Sequence, residues 1–253
     1  MEMHAANPTR VNILGVPVDV VDLESAVEIV RGCLERCGRL RIVAINPEKV
    51  MAVRRGALDI GDLATAELLI PDGIGVVGAV RMLYGLGISR VTGVDLMHEI
   101  CKLAATGGYS VYLLGATEEV NARAASNLER MYPELRIAGR HHGYFGHATD
   151  EIVNDINASG ADILFVALGS PRQERWIFEN SGRLGPRIIQ GVGGTLDTIA
   201  GFVKRAPAFV QRIHLEWLYR LIRDPRRVRR QIVLPLFALN VVRERVQRAF
   251  ANN

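Results

Sequence analysis

Five short apolar runs, each cut off by glycine, proline or a turn-forming polar residue, constrain this chain more than any other feature. Arg41-Ile-Val-Ala-Ile45 stops at Asn46-Pro47, and Leu68-Leu-Ile70 stops at Pro71-Asp-Gly73. Tyr109-Ser-Val-Tyr-Leu-Leu114 breaks at Gly115, Ile163-Leu-Phe-Val-Ala-Leu168 at Gly169-Ser-Pro171, and Arg187-Ile-Ile-Gln190 at Gly191-Val-Gly-Gly194. A helical pattern follows each run. Strands that are apolar throughout and alternate with helices require a parallel sheet covered on both sides. The fold reads as α/β, a Rossmann-like parallel sheet with helices on both faces. Val11 to Val21 adds a small N-terminal hairpin turning at Gly15-Val-Pro17, and Asp22 caps a helix that runs toward Arg36. Ligands of such sheets sit beyond the carboxyl ends of the strands, where helix amino ends point at phosphates. The breaks named above are those ends.

Charge is spread unevenly. From Gly201 to Asn253, 12 Lys+Arg face three acids (Glu216, Asp224, Glu244), a balance of +9 in a chain whose total is +4, so residues 1–200 sum to −5. Arg220, Arg223, Arg226, Arg227, Arg229 and Arg230 lie beside the apolar run from Ile232 to Val242. Basic and apolar character together suit a phosphate-bearing ligand or an anionic membrane surface. The ordinary alternative is a terminal helix pair packed on the body with a solvated arginine face. Two units are expected: an α/β body over 1–200 and a basic, amphipathic, helical appendage over 201–253. The strand pattern is complete by Gly194, so the body's core is expected to be whole without the appendage.

A chain of 253 residues holds one sizeable core plus an appendage of that size. No apolar stretch approaches the ~18 residues of a spanning helix, and Met1 to Asn7 lack the basic-then-apolar order of a signal peptide. Cys33, Cys37 and Cys101 form no CxxC pair. A cytosolic, reduced protein without a thiol metal site is expected.

Gly191-Val-Gly-Gly-Thr-Leu196 resembles a dinucleotide-binding turn, but its sixth position is Leu196 and no acidic residue follows a next strand. Gly191 and Gly193 still let backbone N–H groups approach a diphosphate. There is no GxxxxGK[ST], no HExxH and no Asp-x-Asp. If the chain handles a nucleotide diphosphate, arginines must take the place that magnesium often fills. Taken singly, Asp72 before Gly73 and Asn46 before Pro47 are ordinary turn or cap residues. Gln173, in Gly169-Ser-Pro-Arg-Gln-Glu174, suits a sugar hydroxyl or a backbone group equally. The set carries more than its members.

Asn46-Pro-Glu48, Pro71-Asp-Gly73, Arg90-Val-Thr-Gly-Val-Asp95, Leu113-Leu-Gly-Ala116, Gly143-Tyr-Phe145, Gly169-Ser-Pro-Arg-Gln-Glu174, Gly191-Val-Gly-Gly194 and Arg205-Ala-Pro207 through Glu216-Trp-Leu-Tyr-Arg220 occur in that order. This series, over about residues 11 to 230, resembles the WecG/TagA/CpsF family of bacterial glycosyltransferases, glycosyltransferase family 26. The resemblance implies transfer of a hexose-type sugar (N-acetylmannosamine-like, glucose-like or uronic) from a UDP donor to a polyprenyl-diphosphate-linked acceptor. The setting it implies is synthesis of a cell-surface polysaccharide or teichoic acid, with inversion at the anomeric carbon. It implies no cofactor and no metal, UDP-sugar being a substrate.

Residue by residue, the resemblance makes Asp72 the general base. It puts Asn46, Arg90 and Gln173 around the sugar, Tyr144 and Asp197 near the uridine, and Arg220, Arg227 and Arg230 over the diphosphate, with Gly115 also expected in the donor site. One departure is Ala44, where the family often has Thr. A hydroxyl contact is lost there, and the donor sugar stays open. The partners implied are the glycan acceptor and an anionic membrane surface, at the inner face of the cell membrane, without nucleic acid; a homo-oligomer is compatible. The alternative is a non-catalytic anion- or nucleic-acid-binding protein using the basic tail. Such a tail should interleave aromatics with arginine, yet it offers only Trp217, Tyr219, Phe237 and Phe250.

Overall fold

Each of the five glycine- or proline-ended apolar runs becomes a strand of one sheet, and one further strand joins them. The computed structural model describes residues 8–207 and 232–251, together with Val210, Leu218, Tyr219 and Leu221. In chain order the elements are β1 (Arg10–Ile13), β2 (Val16–Asp19), α1 (Leu23–Glu35), β3 (Leu40–Ile45), α2 (Pro47–Arg54), α3 (Ile60–Ala64), β4 (Leu68–Pro71), α4 (Ile74–Tyr84) and α5 (Gly93–Gly107). There follow β5 (Ser110–Gly115), α6 (Glu118–Met131), β6 (Arg136–His141), α7 (Thr149–Ala158), β7 (Ile163–Ala167), α8 (Arg172–Asn180), β8 (Ile188–Gly191), α9 (Thr195–Ile199) and α10 (Val233–Ala251).

The sheet has six strands in the order β4-β3-β8-β7-β5-β6, and every neighbouring pair is parallel. Side chains alternate between its faces. Ile42, Ala44, Leu68, Ile70, Leu113 and Phe165 point into a core with α1, α5, α6 and α9. Val43, Ile45 and Leu69 point the other way, toward the hairpin, α2, α3 and α4. Tyr112, Leu114, Leu164 and Val166 extend that second face under α7 and α8. Burial on both faces is what continuous apolar strands demand. β6 differs: it is an edge strand, half exposed along its length, and its sequence Arg-Ile-Ala-Gly-Arg-His carries no apolar run.

Two expectations need correction. The hairpin turns at Leu14-Gly15, whose φ angles are +52° and +87°, and Val16 and Pro17 pair within β2. A two-residue turn with both φ positive matches the right-handed twist of the strands it joins. The second correction concerns the tail. Val233, Phe237 and Val241 of α10 are buried in the core cluster formed by the hairpin, α2 and α4. Glu244 accepts the Leu14 N–H at 2.9 Å, and Arg248 donates to Tyr84 Oη at 2.9 Å. The core is therefore not closed by residue 200, because the last helix supplies part of it. Phe237 matters most for position: a side chain on Gly75 would meet Pro47 at 2.8 Å and the Phe237 ring at 3.6 Å. That ring thus lies beneath the first turn of α4 and beside Pro47.

The opposite face of α10 is apolar and open. Ile232, Leu236, Leu239, Val246 and Phe250 are exposed, with Arg243 and Arg245 near them. Among the described residues no helix is long and apolar enough to cross a membrane.

Candidate active site

The site is assembled at the carboxyl edge of the sheet, one strand end at a time. β3 ends at Asn46, which caps α2 by accepting the Lys49 N–H at 2.9 Å. Pro47 takes the first helical position, where its missing N–H costs nothing. On the neighbouring strand, β4 ends at Asp72, whose N–H donates to Ile45 O at 2.8 Å. Asp72 and Asn46 therefore stand side by side. The chain turns at once into α4 through Gly73, whose φ of +97° suits glycine. Arg90 comes back from the loop before α5, with Nε 3.7 Å from Asp72 Oδ1. Both side chains are about three-quarters covered or more, at 20% and 26% exposure, so the pair keeps one open side. The Asp72 carboxylate thus sits beside the Arg90 guanidinium and stays partly exposed.

The loop that delivers Arg90 is braced. Thr92 caps α5 by accepting the Asp95 N–H at 3.0 Å, and its hydroxyl donates to Asp95 at 2.6 Å. Arg205 donates to the other Asp95 oxygen at 2.6 Å. The Arg90–Asp95 and Arg205–Pro207 motifs thus meet through an ion pair. Gln190 adds a contact from β8, its Nε2 donating to Gly93 O at 3.0 Å.

In the middle of the edge, β7 leads into α8 and β8 into the Gly191–Gly194 turn. Gln173 and Glu174 open α8, and both are 2% exposed. Gln173 Oε1 accepts the Gly193 N–H at 2.8 Å, and its Nε2 donates to Glu174 at 3.0 Å. Glu174 forms an ion pair with Lys49 at 2.8 Å, and Lys49 Nζ also donates to Ala44 O at 2.7 Å. Burial would push the Glu174 carboxyl up; the Lys49 ammonium and its hydrogen bond overcome this and hold it below the usual carboxylate range. Gln173 therefore acts on protein groups as seen here. Asp197 lies in the first turn of α9, just past the glycines.

The far end is built from β5 and β6. Gly115 ends β5 with φ +125°, and a Cβ there would lie 2.3 Å from the Ala167 carbonyl oxygen. No other residue fits. Buried Asn121 ties this end together: its Nδ2 donates to Leu113 O, Gly115 O and His141 O at 3.2, 2.9 and 3.1 Å. The loop after β6 is held by Arg172, which lies 5.3 Å over the Phe145 ring and donates to Gly143 O at 3.0 Å. Tyr144 rises from that loop, 72% exposed, as an aromatic platform. With strands about 4.8 Å apart, the ends of β4 and β6 are roughly 24 Å from each other. Asp72 and Tyr144 thus mark two ends of one long edge, with the glycine turn between them.

Carboxylate, glycine turn and exposed ring thus follow one another along this edge. A model of the glycosyl transferase WecG/TagA/CpsF family matches residues 11–251. The chain belongs to that family. It is a glycosyltransferase. Its relatives include the N-acetylglucosaminyldiphosphoundecaprenol N-acetyl-beta-D-mannosaminyltransferases of Staphylococcus aureus strains MRSA252 and MW2. Each is 33% identical over 240 residues, spanning 94% of either chain. The enzyme of strain NCTC 8325 matches to the same extent.

Asp72, Arg90 and Asn46 are thus brought together in this glycosyltransferase, and so are Gln173, Gly191 and Gly193. Gly115 and Tyr144 form a separate group. Arg220, Arg227 and Arg230 lie outside the described residues. Lys49, Asn121 and Arg172 are the supports that the sequence reading did not single out. Nothing in their spacing marks them, since a Lys in a helix and an Asn in a helix are usually solvated. Among the described residues no three His, Cys, Asp or Glu side chains gather as a metal site.

Proposed function

We propose that this glycosyltransferase moves a hexose-type sugar from a UDP donor to a polyprenyl-diphosphate-linked acceptor, with inversion and without a metal ion. The observation that carries the reading is the Asp72–Arg90 pair, at one end of an edge whose other end presents Tyr144. The names of the relatives point to N-acetylmannosamine as the sugar and a diphosphoundecaprenol-linked N-acetylglucosamine as the acceptor. Ala44 replaces a hydroxyl residue beside the sugar, so the donor sugar need not be theirs.

In this mechanism the uracil rests against Tyr144, and the diphosphate lies at the N–H groups of the Gly191–Gly194 turn. The sugar reaches Asn46 and Arg90. Asp72 takes the proton from the acceptor hydroxyl as that oxygen attacks the anomeric carbon from the side opposite the diphosphate. The new C–O bond forms while the bond to the diphosphate breaks, so the sugar inverts and UDP leaves with the added negative charge. Fixed donors at the diphosphate stabilise that charge. Arg220, Arg227 and Arg230 are the cationic donors that neutralise it, in the role that magnesium fills elsewhere. The absence of any Asp-x-Asp supports this.

Residues 201–253 then serve as the appendage that brings the site to the cytoplasmic leaflet. The exposed stripe from Ile232 to Phe250, with Arg243 in line with it by helical spacing, suits shallow insertion into an anionic surface. Leu239→Glu should lower binding to anionic liposomes several-fold at low salt and leave UDP binding unchanged. A panel of UDP-sugars tested against a short-chain polyprenyl-diphospho-N-acetylglucosamine acceptor, with and without EDTA, examines the whole reading. Transfer from one donor, insensitive to chelator, is the expected result. No transfer from any UDP-sugar would reject the donor class, and loss with EDTA restored by Mg²⁺ would reject the arginine mechanism.

A further inference from the structure

Lys49 and Glu174 form an ion pair that is almost fully buried, with side chains 7% and 1% exposed, directly under the proposed donor site. A buried pair is a poor way to stabilise a fold. Removing two charges from water offsets most of their attraction, and apolar replacements of similar size are often neutral or stabilising. Such a pair is better explained by what it orients. Its partners here are specific. Lys49 bridges Glu174 and Ala44 O, which binds α2 to the end of β3. The Lys49 N–H is also the group that fixes the Asn46 side chain. Glu174 Oε1 accepts from both Lys49 Nζ and Gln173 Nε2.

That second contact has a directional consequence. A carboxylate can only accept, so the Gln173 amide must turn its NH₂ toward Glu174 and its oxygen toward Gly193 N–H. Gly191 completes the fit, because a Cβ there would lie 2.4 Å from Gln173 Nε2. We propose that the Lys49–Glu174 pair is a positioning element: it locks the Gln173 amide in one orientation and thereby holds the Gly191–Gly194 turn in the shape that receives the donor diphosphate. This assignment of the turn rests on the UDP-donor reading above.

The test compares the full-length wild type with the double variant Lys49→Met/Glu174→Leu, which removes both charges. Thermal unfolding should stay cooperative, since the pair is not what holds the fold. Exchange of the Gly193 N–H should speed up at least about tenfold, while the amides of β8 and β7 keep their protection. The Kd for UDP should rise by at least about tenfold. If the double variant fails to fold, Glu174→Gln serves instead. Its amide can offer either end to Gln173, so the same two changes are expected. Gly193 exchange within twofold of wild type in a folded variant overturns the proposal. The exchange readout does not depend on the donor: a wild type that binds no UDP defeats the donor reading, and Gly193 still judges the pair.

Discussion

The two ends of the candidate site rest on equally braced frameworks but expose their side chains to different degrees. At the β3–β4 end, Asn46, Asp72 and Arg90 are partly covered and tied by backbone, cap and ion-pair contacts. Phe237 closes the layer below them from 165 residues downstream of Asp72. At the β5–β6 end, the framework is equally fixed, by Gly115 and Asn121, but the side chain it presents is open: Tyr144 is 72% exposed. Bond-making needs reacting groups held close to their working geometry. Stacking a base needs only a face. On the proposed function, the first end carries the chemistry and the second the nucleotide.

The largest effect should come from the covered end. Asp72→Asn is expected to lower kcat about 10²–10⁴-fold, as removal of a general base does, with unchanged thermal unfolding. Initial-rate assays with saturating donor and acceptor would check it, and more than about a tenth of wild-type kcat would return Asp72 to a turn residue. Phe237→Ala should destabilise the fold by about 3–5 kcal/mol, the usual cost of emptying a buried aromatic site. Urea titration measures this; a change below about 1 kcal/mol would mean that α10 adds little to the core. At the open end, Tyr144→Ala should weaken UDP by about 1–3 kcal/mol, the worth of one base–aromatic stack, and leave stability untouched. Calorimetric titration decides it.

A smaller effect is expected in acid. Glu174 titrates below the usual carboxylate range in the folded protein, so its ionised form stabilises the fold above the unfolded-chain value. That contribution is lost as pH falls through the lower, folded value. As pH falls below about 4.3, wild-type stability should fall more steeply than that of Lys49→Met/Glu174→Leu. Equal slopes would mean that the ion pair is not formed in solution.

The sheet was legible because its strands are buried on both faces and end at glycine, proline or a cap. The same rule explains what was not legible. β6 lies at the edge, and Arg-Ile-Ala-Gly-Arg-His has neither an apolar run nor a clear alternation. The hairpin turn begins one residue earlier than expected, at Leu14, because Leu14 adopts a positive φ, which sequence offers no reason to expect of leucine. The apolar run of the tail was visible, but not that it has two sides. Val233, Phe237 and Val241 face the core while Leu236 and Leu239 face out, and only docking on α2 and α4 separates them. In the site, Asp72, Asn46 and Arg90 were marked by ordered motifs. Lys49 and Asn121 were not, because what makes them matter is burial among partners distant in sequence or hidden by the helix.

The division of labour along the edge is tested most directly by titrating UDP into Asp72→Asn and Tyr144→Ala and measuring sugar transfer by the same two proteins. Asp72→Asn should bind UDP within about threefold of wild type while transfer at saturation collapses. Tyr144→Ala should lose roughly five- to 150-fold in UDP affinity and keep its transfer rate at saturating donor. The opposite pattern, UDP lost with Asp72 and turnover lost with Tyr144, would contradict the account.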